Sequence, residues 1–368
     1  MNKDTTLYKS TLIGLTAASL FAVATVSSAA GTLNVSNWAE YMAEDTIDNF
    51  AKEYDIEVTF TPYDSVAAID SKLLAGSSGY DVVSHAGSSV ARLLQGNILR
   101  KIDKTKLPNF KHMSPDVMAQ LGKNWDPGHN YMVPYMWGTH GVIFNRELVL
   151  QTYPDAPLDN AEILLDPKHL KELAKCGVAF LDEPGDVIPL ILGYLGLDPN
   201  STNKSDYKKA ADLMQQLRPH IKTFDNYAYQ RLPEKEFCIV FSYGPDGLLA
   251  MSQAAEAKTG VELEFLLPKV ATLWVDSWVI PADAKNIENA HLFINYMMRP
   301  QVGANDTNYT WYATANKDAL AMVDEEVRNN QAAFPTPGQV ATMYTADVLP
   351  PKIQRLRTRT WTNFKAGN

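Results

Sequence analysis

Residues 31–83 read GTLNVSNWAEYMAEDTIDNFAKEYDIEVTFTPYDSVAAIDSKLLAGSSGYDVV. Gly31–Asn37 alternates Leu33 and Val35 with polar residues, the period of a strand, and Glu57–Thr61 alternates again. Between them Ile47, Phe50 and Tyr54 share one helical face of Asp45–Tyr54. Val66–Ala75 reads as a second helix, closed by Gly76-Ser77-Ser78-Gly79, and Asp81–Val83 as a buried strand. Strand, helix, strand, helix, strand within about 55 residues is a βαβ series, the signature of a parallel sheet.

The pattern resumes after a break. Met132–Asn145 (MVPYMWGTHGVIFN) has strand character across Gly138 and Gly141. Helical spacing recurs at Pro167–Ala174, Val187–Leu195 and Asp206–Leu217, the last with Ala210, Leu213, Met214 and Leu217 on one face. Strands are predicted at Gly177–Leu181, Ile239–Phe241, Val261–Leu267 and Ser277–Pro281, with helices at Gly247–Gln253 and Ala290–Met298. Two α/β lobes account for the chain, without internal repeats or low-complexity tracts.

At the N-terminus, Met1–Lys9 carries Lys3 and Lys9 with one acid, and an uncharged apolar run follows to Ala30. Ser28-Ala29-Ala30 places small residues where a signal peptidase reads, so a cleaved leader over residues 1–30 is expected; a single membrane anchor is the alternative. Removing Lys3, Lys9 and Asp4 from 33 basic and 42 acidic side chains leaves 31 and 41, a balance near −10. Such a chain repels nucleic acid and anionic lipid and tolerates cationic ligands. Cys176 and Cys238, the only cysteines, both lie beyond the leader. In an oxidising compartment an even pair forms a disulfide, two buried thiols being the alternative.

The sequence carries no Gly-rich phosphate loop, HExxH, CxxC or GxSxG pattern, so no catalytic residue, metal ligand or cofactor is assigned. The seven histidines are scattered; only His85 and His140 flank loops expected at a cleft. What does recur is aromatic residues beside carboxylates at the ends of predicted strands. These are Trp38-Ala39-Glu40-Tyr41, Tyr243-Gly244-Pro245-Asp246 and Trp274-Val275-Asp276, with Tyr309-Thr310-Trp311-Tyr312 adding a further aromatic cluster. In open α/β sheets ligands bind beyond the carboxyl ends of strands. Ring faces over methylenes and carboxylates on separate ammonium groups suit a polycationic alkyl amine, each cation–π contact contributing about 0.5–2 kcal/mol.

The chain resembles the periplasmic polyamine-binding proteins of bacterial ABC transporters, the putrescine/spermidine group, from about Leu33 to Lys365. The segments that carry the resemblance are VSNWAEY (35–41), LLAGSSGYDVV (73–83), VPYMWGT (133–139), CGVAFLD (176–182), LGLDPNS (195–201), PADAKN (281–286) and IQRLRTRTWT (353–362). The resemblance implies a type II-like, two-lobed flytrap, each lobe a mixed sheet flanked by helices. It places one lobe at 31–136 and 257–310 and the other at 137–256 and 311–368. It implies that Trp38, Tyr243 and Trp274 sandwich a carbon chain, that Tyr312 lines the pocket, and that Asp246 and Asp276 bind amino groups. Glu40 stands where relatives often have Asp, and Asp186 where they often have Glu. Cys176 and Cys238 match cysteines that pair in relatives. Ala39 and Ala86 replace hydroxyl-bearing residues and Tyr243 a frequent Trp, departures that imply a preference shifted from putrescine toward spermidine. The implied protein is a periplasmic monomer, not an enzyme, that delivers a polyamine to ABC permease subunits. A periplasmic polyamine sensor, or a receptor for another small organic cation, is the alternative.

Overall fold

The computed structural model describes residues 31–367, and the leader expected at 1–30 lies outside the described residues. The βαβ series forms as its periodicity predicts. β1 (Gly31–Trp38) buries Leu33 and Val35 completely and runs parallel between β2 (Ile56–Tyr63) and β3 (Val82–Ala86). α1 (Thr46–Tyr54) anchors through Phe50, and α2 (Val66–Leu74) begins at Ser65, whose Oγ accepts the Ala68 N–H as an N-cap. β3 then enters α3 (Gly87–Leu94), a helix the sequence pattern does not predict. A Cβ at Gly87 would lie 2.4 Å from the Trp125 ring, so only glycine lets the chain turn there.

After β4 (Leu99–Arg100) and α4 (Pro115–Asn124), the strand-like stretch at 132–145 proves to be two strands in two sheets. β5 (Val133–Gly138) closes on the first sheet, and past Thr139 β6 (His140–Asn145) opens the second. Glycine at 138 and 141 admits an aromatic ring against each strand. A Cβ at those positions would fall 2.5 Å from Trp274 and 2.0 Å from Phe265. The second lobe continues with α5 (Arg146–Thr152), α6 (Pro167–Leu173), β7 (Val178–Phe180), α7 (Pro184–Tyr194) and α8 (Lys204–Leu217). It ends with β8 (Thr223–Phe224), β9 (Ile239–Tyr243), α9 (Gly244–Glu256) and β10 (Leu263–Leu266). Its strand order is β10-β6-β9-β7-β8, with β7 parallel to β8 and β9 and β6 antiparallel to its neighbours.

β11 (Trp274–Pro281) returns to the first sheet, antiparallel to β3 and β5, and α10 (Ile287–Met297), α11 (Pro300–Thr310) and β12 (Ala313–Thr314) follow. The first sheet thus has the order β12-β5-β11-β3-β1-β2, with β4 paired to β11. After two short helices, α12 (Glu325–Arg328) and α13 (Pro337–Thr342), α14 (Pro351–Ala366) buries Trp361 and Phe364 in the core of the second lobe, beside α7 and α8. The protein is a two-lobed α/β structure in which each lobe is a mixed sheet flanked by helices.

Sheet membership divides the chain differently from the expected limits. β10 pairs with β6, so the return to the first sheet comes after Leu266 rather than at 257. β12 pairs with β5, so the first sheet extends past 311. Strand propensity marks these segments as strands but says nothing of which sheet supplies their partners. Two of the crossings run side by side: the Tyr344 N–H donates to the Ala271 carbonyl at 3.1 Å, and the Leu273 N–H to the Tyr344 carbonyl at 2.7 Å. A third joins β5 to β6 through Thr139.

Cys176 and Cys238 form a disulfide across 62 residues of sequence, tying the approach to β7 to the approach to β9, its parallel neighbour. Closing a loop of that length removes denatured-state entropy, a stabilisation of about 2–4 kcal/mol. Urea unfolding with and without reductant should therefore differ by about that amount. Titration of the native, unreduced protein should find no free thiol; two would remove the cross-link.

Candidate functional site

The carboxyl ends of β1, β3 and β9 and the opening of antiparallel β11 point into one cleft, a cavity of about 580 Å³ walled by both lobes. All eight residues that the resemblance singles out line it: Trp38, Glu40, Asp186, Tyr243, Asp246, Trp274, Asp276 and Tyr312. Each reaches the cleft for a local reason. Trp38 ends β1. Glu40 follows in a left-handed turn at φ 56° and stands exposed on the rim. Trp274 and Asp276 open β11, where Asp276 pairs in register with Ala86 of β3. Tyr243 ends β9, and Asp246 lies in the first turn of α9. Asp186 occupies the equivalent place on α7. Tyr312 follows the left-handed Trp311 that stops α11.

The aromatic residues form a connected wall. Tyr312 stacks edge-on against Tyr41 at 4.7 Å and lies 5.7 Å from Trp274, which meets Tyr243 at 6.0 Å. Trp38 packs on Tyr63 at 4.5 Å. The ring faces leave room between them for an apolar chain, and the polar atoms concentrate at the acids.

Those acids are buried without a cation. Asp246 is 6% and Asp276 7% exposed, and among the described residues neither has an ion-pair partner. Burial pushes the Asp246 carboxyl up to about 7, although Tyr312 donates to its Oδ1 at 2.5 Å and Ser242 to its Oδ2 at 2.8 Å. Burial also pushes Asp276 to about 7, against the opposing influence of Tyr41 and Trp38 and with the help of the Asp186 charge. Trp38 Nε1 and Tyr41 Oη are themselves buried, and both turn toward Asp276, whose charged form they favour.

Three further residues of this cleft were given no ligand-binding role by the resemblance, although His140 was expected to flank a cleft loop. Glu183 lines it and is driven to about 8 by burial and by the charges of Asp186 and Asp182. The run Asp182-Glu183-Pro184-Gly185-Asp186, three acids at a helix start, was the available signal. Tyr41 sits within the Trp38–Tyr41 cluster but only packing reveals its contact with Tyr312. His140 tilts over Tyr243 at 4.7 Å, with Nε2 3.4 Å from Asp186 Oδ2. His85, by contrast, is fully buried with Nε2 3.0 Å from Asp70 Oδ1 and does not line the cavity. Among the described residues no group of three or more His, Cys, Asp or Glu is placed to hold a metal, and no helix is long and apolar enough to cross a membrane.

Residues 45–336 match the family model for bacterial extracellular solute-binding proteins. The putrescine-binding periplasmic protein PotF of Escherichia coli is 39% identical over 369 residues, covering 99% of this chain and all of that protein. The putrescine-binding periplasmic protein SpuD of Pseudomonas aeruginosa is 37% identical over 360 residues, covering 97% of this chain and 98% of that one. A solved structure described as a spermidine/putrescine ABC transporter from Listeria monocytogenes aligns with a TM-score of 0.81 at 28% identity, over 92% of this chain and 99% of its own.

The raised acids fix the pH response of the unliganded protein. An aspartate unfolded near 3.9 but folded near 7 binds more protons in the folded state between those values. Its stabilisation is full below the unfolded pKa and is lost as pH rises through about 7 for Asp246 and Asp276, and through about 8 for Glu183. Thermal denaturation of the unliganded protein should show Tm falling from pH 5 to pH 9. Asp276→Asn should flatten that fall; a variant that keeps the full wild-type slope would place the titration elsewhere.

Proposed function

Because the chain belongs to the bacterial extracellular solute-binding protein family, we propose that it captures a polyamine, putrescine or spermidine, between its lobes and hands it to an ABC importer. The observation that carries this reading is the pair of buried carboxylates without a counter-charge, Asp276 on the first lobe and Asp246 on the second, each bordered by aromatic faces. A buried carboxylate without a counter-charge is driven to take up a proton, and an alkylammonium offers the charge that releases it. Two ammonium groups joined by methylenes then suit two acids that share a cavity with ring faces.

In the working site Trp38, Tyr243 and Trp274 cover the carbon chain, and Tyr312 holds Asp246 in place through its hydroxyl. Asp276 and Asp246 accept the two amino groups. Glu183 and Asp186 extend the row of acids, which is where the third ammonium of spermidine would go, in line with the lean that the departures at Ala39, Ala86 and Tyr243 imply. Glu40 contributes its charge from the rim. A ligand touching an acid of each lobe has higher affinity for the closed form than for the open one, and that difference drives closure. The protein works as a periplasmic monomer that binds without turning its ligand over, and the closed form is what the permease subunits receive.

Calorimetry with putrescine and spermidine, in buffers of differing ionisation enthalpy, tests the reading. Binding at neutral pH should release protons from the acids, and it should weaken as pH falls below 7. Asp276→Ala should weaken binding by roughly 2–5 kcal/mol, because it strands an ammonium in a desolvated site. Wild-type affinity in that variant would remove Asp276 from the site. Putrescine bound at least tenfold tighter than spermidine would end the expected lean.

A further inference from the structure

His140 is a polar side chain of the cleft that capture of two end amines leaves unused. It opens β6, and the antiparallel register sets it directly across from Tyr243 of β9. Residues opposite one another share a sheet face. The imidazole accordingly lies 4.7 Å from the Tyr243 ring and stacks at 5.7 Å on Phe241, two residues earlier on that face. It lines the cavity and is only 3% exposed. Neither ring nitrogen makes a hydrogen bond, and among the described residues His140 is the one histidine with both nitrogens buried and unanswered. His85 spends its Nε2 on Asp70, and His291 uses both nitrogens, one on the Asp103 N–H and the other at the Ile287 carbonyl. A buried polar atom left without a partner is costly, and the cavity is the side from which a partner can reach His140.

The surroundings define that partner. Nε2 stands 3.4 Å from Asp186 Oδ2. Asp186 is near enough to Asp276 to help push its carboxyl up, and His140 near enough to Asp246 for charge on the ring to oppose the rise of that one. The pair therefore neighbours both acids that take the end amines, beside the Tyr243 ring. With ammonium groups held at Asp276 and Asp246, an imidazolium between them would be repelled, so a neutral ring with Nε2 as acceptor suits the complex. Side by side, a carboxylate oxygen and an imidazole nitrogen offer two acceptors to one group with two N–H donors. A secondary ammonium has two such donors, whereas the inner methylenes of putrescine have none.

We propose that His140 is a ligand-binding residue which, together with Asp186, clasps the inner secondary ammonium of a triamine. Its neutral acceptor favours an inner N–H over an inner CH2 without adding charge to the row of acids. This role rests on the amine site described above and names the residue that reads the middle of the ligand.

Spermidine and 1,8-diaminooctane are the probes: they have equal chain length and the same primary amines at both ends, and differ only by an inner ammonium against a methylene. In calorimetry at neutral pH on the full chain, refolded to strip retained ligand, spermidine should bind about tenfold or more tighter, since its inner ammonium gains charge-assisted hydrogen bonds. His140→Leu, which lacks an acceptor, should cut that ratio about tenfold, and His140→Gln, which keeps one, should retain most of it. Equal binding of the two probes to the wild type overturns the role. So does a His140→Leu variant that weakens both probes alike and leaves the ratio unchanged, the mark of a merely structural residue. Should His140→Leu fail to fold, the wild type labelled with nitrogen-15 histidine decides by NMR. Spermidine should shift His140 Nε2 toward a hydrogen-bonded acceptor and 1,8-diaminooctane should not, the signal being identified by its loss in His140→Gln. An Nε2 that carries a proton in the spermidine complex, or identical spectra with the two ligands, also overturns the role. Failure of putrescine and spermidine alike to bind would fell the polyamine reading and this role with it; binding of both with an unchanged ratio fells this role alone.

Discussion

Two carboxylates held out of water with no basic partner are the constraint on which this cleft depends. Asp246 and Asp276 sit on different lobes, so neither lobe alone can complete the site. Burying an ionised carboxylate without compensation costs far more than a folded domain has to spare, and a pKa raised to about 7 reflects it: near neutral pH the acids divide between a protonated form and an uncompensated charge. A cation that enters the cleft replaces the proton and supplies full compensation. The same electrostatic deficit thus sets the pH response of the unliganded protein and the affinity for an amine.

That deficit persists only because the surroundings hold the acids rigidly. Behind the aromatic wall, fully buried Asp306 of α11 accepts from the Ala43 N–H at 3.0 Å and from Thr46 Oγ1 at 2.7 Å. The Tyr135 hydroxyl lies between the Tyr41 carbonyl, at 2.7 Å, and Asp306 Oδ2, at 2.9 Å. This network pins the turn after β1, and with it Tyr41, to the end of α11, which presents Tyr312. Tyr312 in turn reaches across to Asp246 on the other lobe. The segment after β12 adds an apolar bridge, where Ala319, Val323, Val327, Ala332 and Ala333 pack with Leu248 of α9 and Ala304 of α11.

Much of this was legible in the sequence, and the boundary of legibility is physical. Alternation in β1 and β2 and the Phe50 face of α1 follow from local periodicity, so the first βαβ unit could be read directly. The aromatic and acidic pairs at 38–40 and 243–246 were visible because they follow strands, and the pair at 274–276 because it opens one; such strand termini meet in an α/β cleft. What periodicity cannot supply is partner choice. It could not show that residues 132–145 divide between two sheets, that β10 belongs with β6, or that β12 returns to β5. Nor could it separate His140, in the cleft wall, from His85, buried on Asp70, since both stand at loops expected to flank the cleft. α3 was missed because Gly87-Ser88-Ser89 reads as a loop until Trp125 is found packed against it.

The distribution of charge across the cleft also explains how a ligand can act as a latch. Asp276 of the first lobe feels the charge of Asp186 on the second, and Arg92 of the first lobe likewise disfavours the charge on Arg357 of the second. Like charges on opposing walls favour separation of the lobes at both ends, weakly in water and more strongly as closure excludes it. Asp70 moderates the cationic end, and burial, by favouring the protonated form of Asp276, moderates the anionic one. A cation between the acids turns one repulsion into two attractions. Closure then draws on charge already stored in the two walls, so a ligand needs no large apolar surface to distinguish the closed state from the open one.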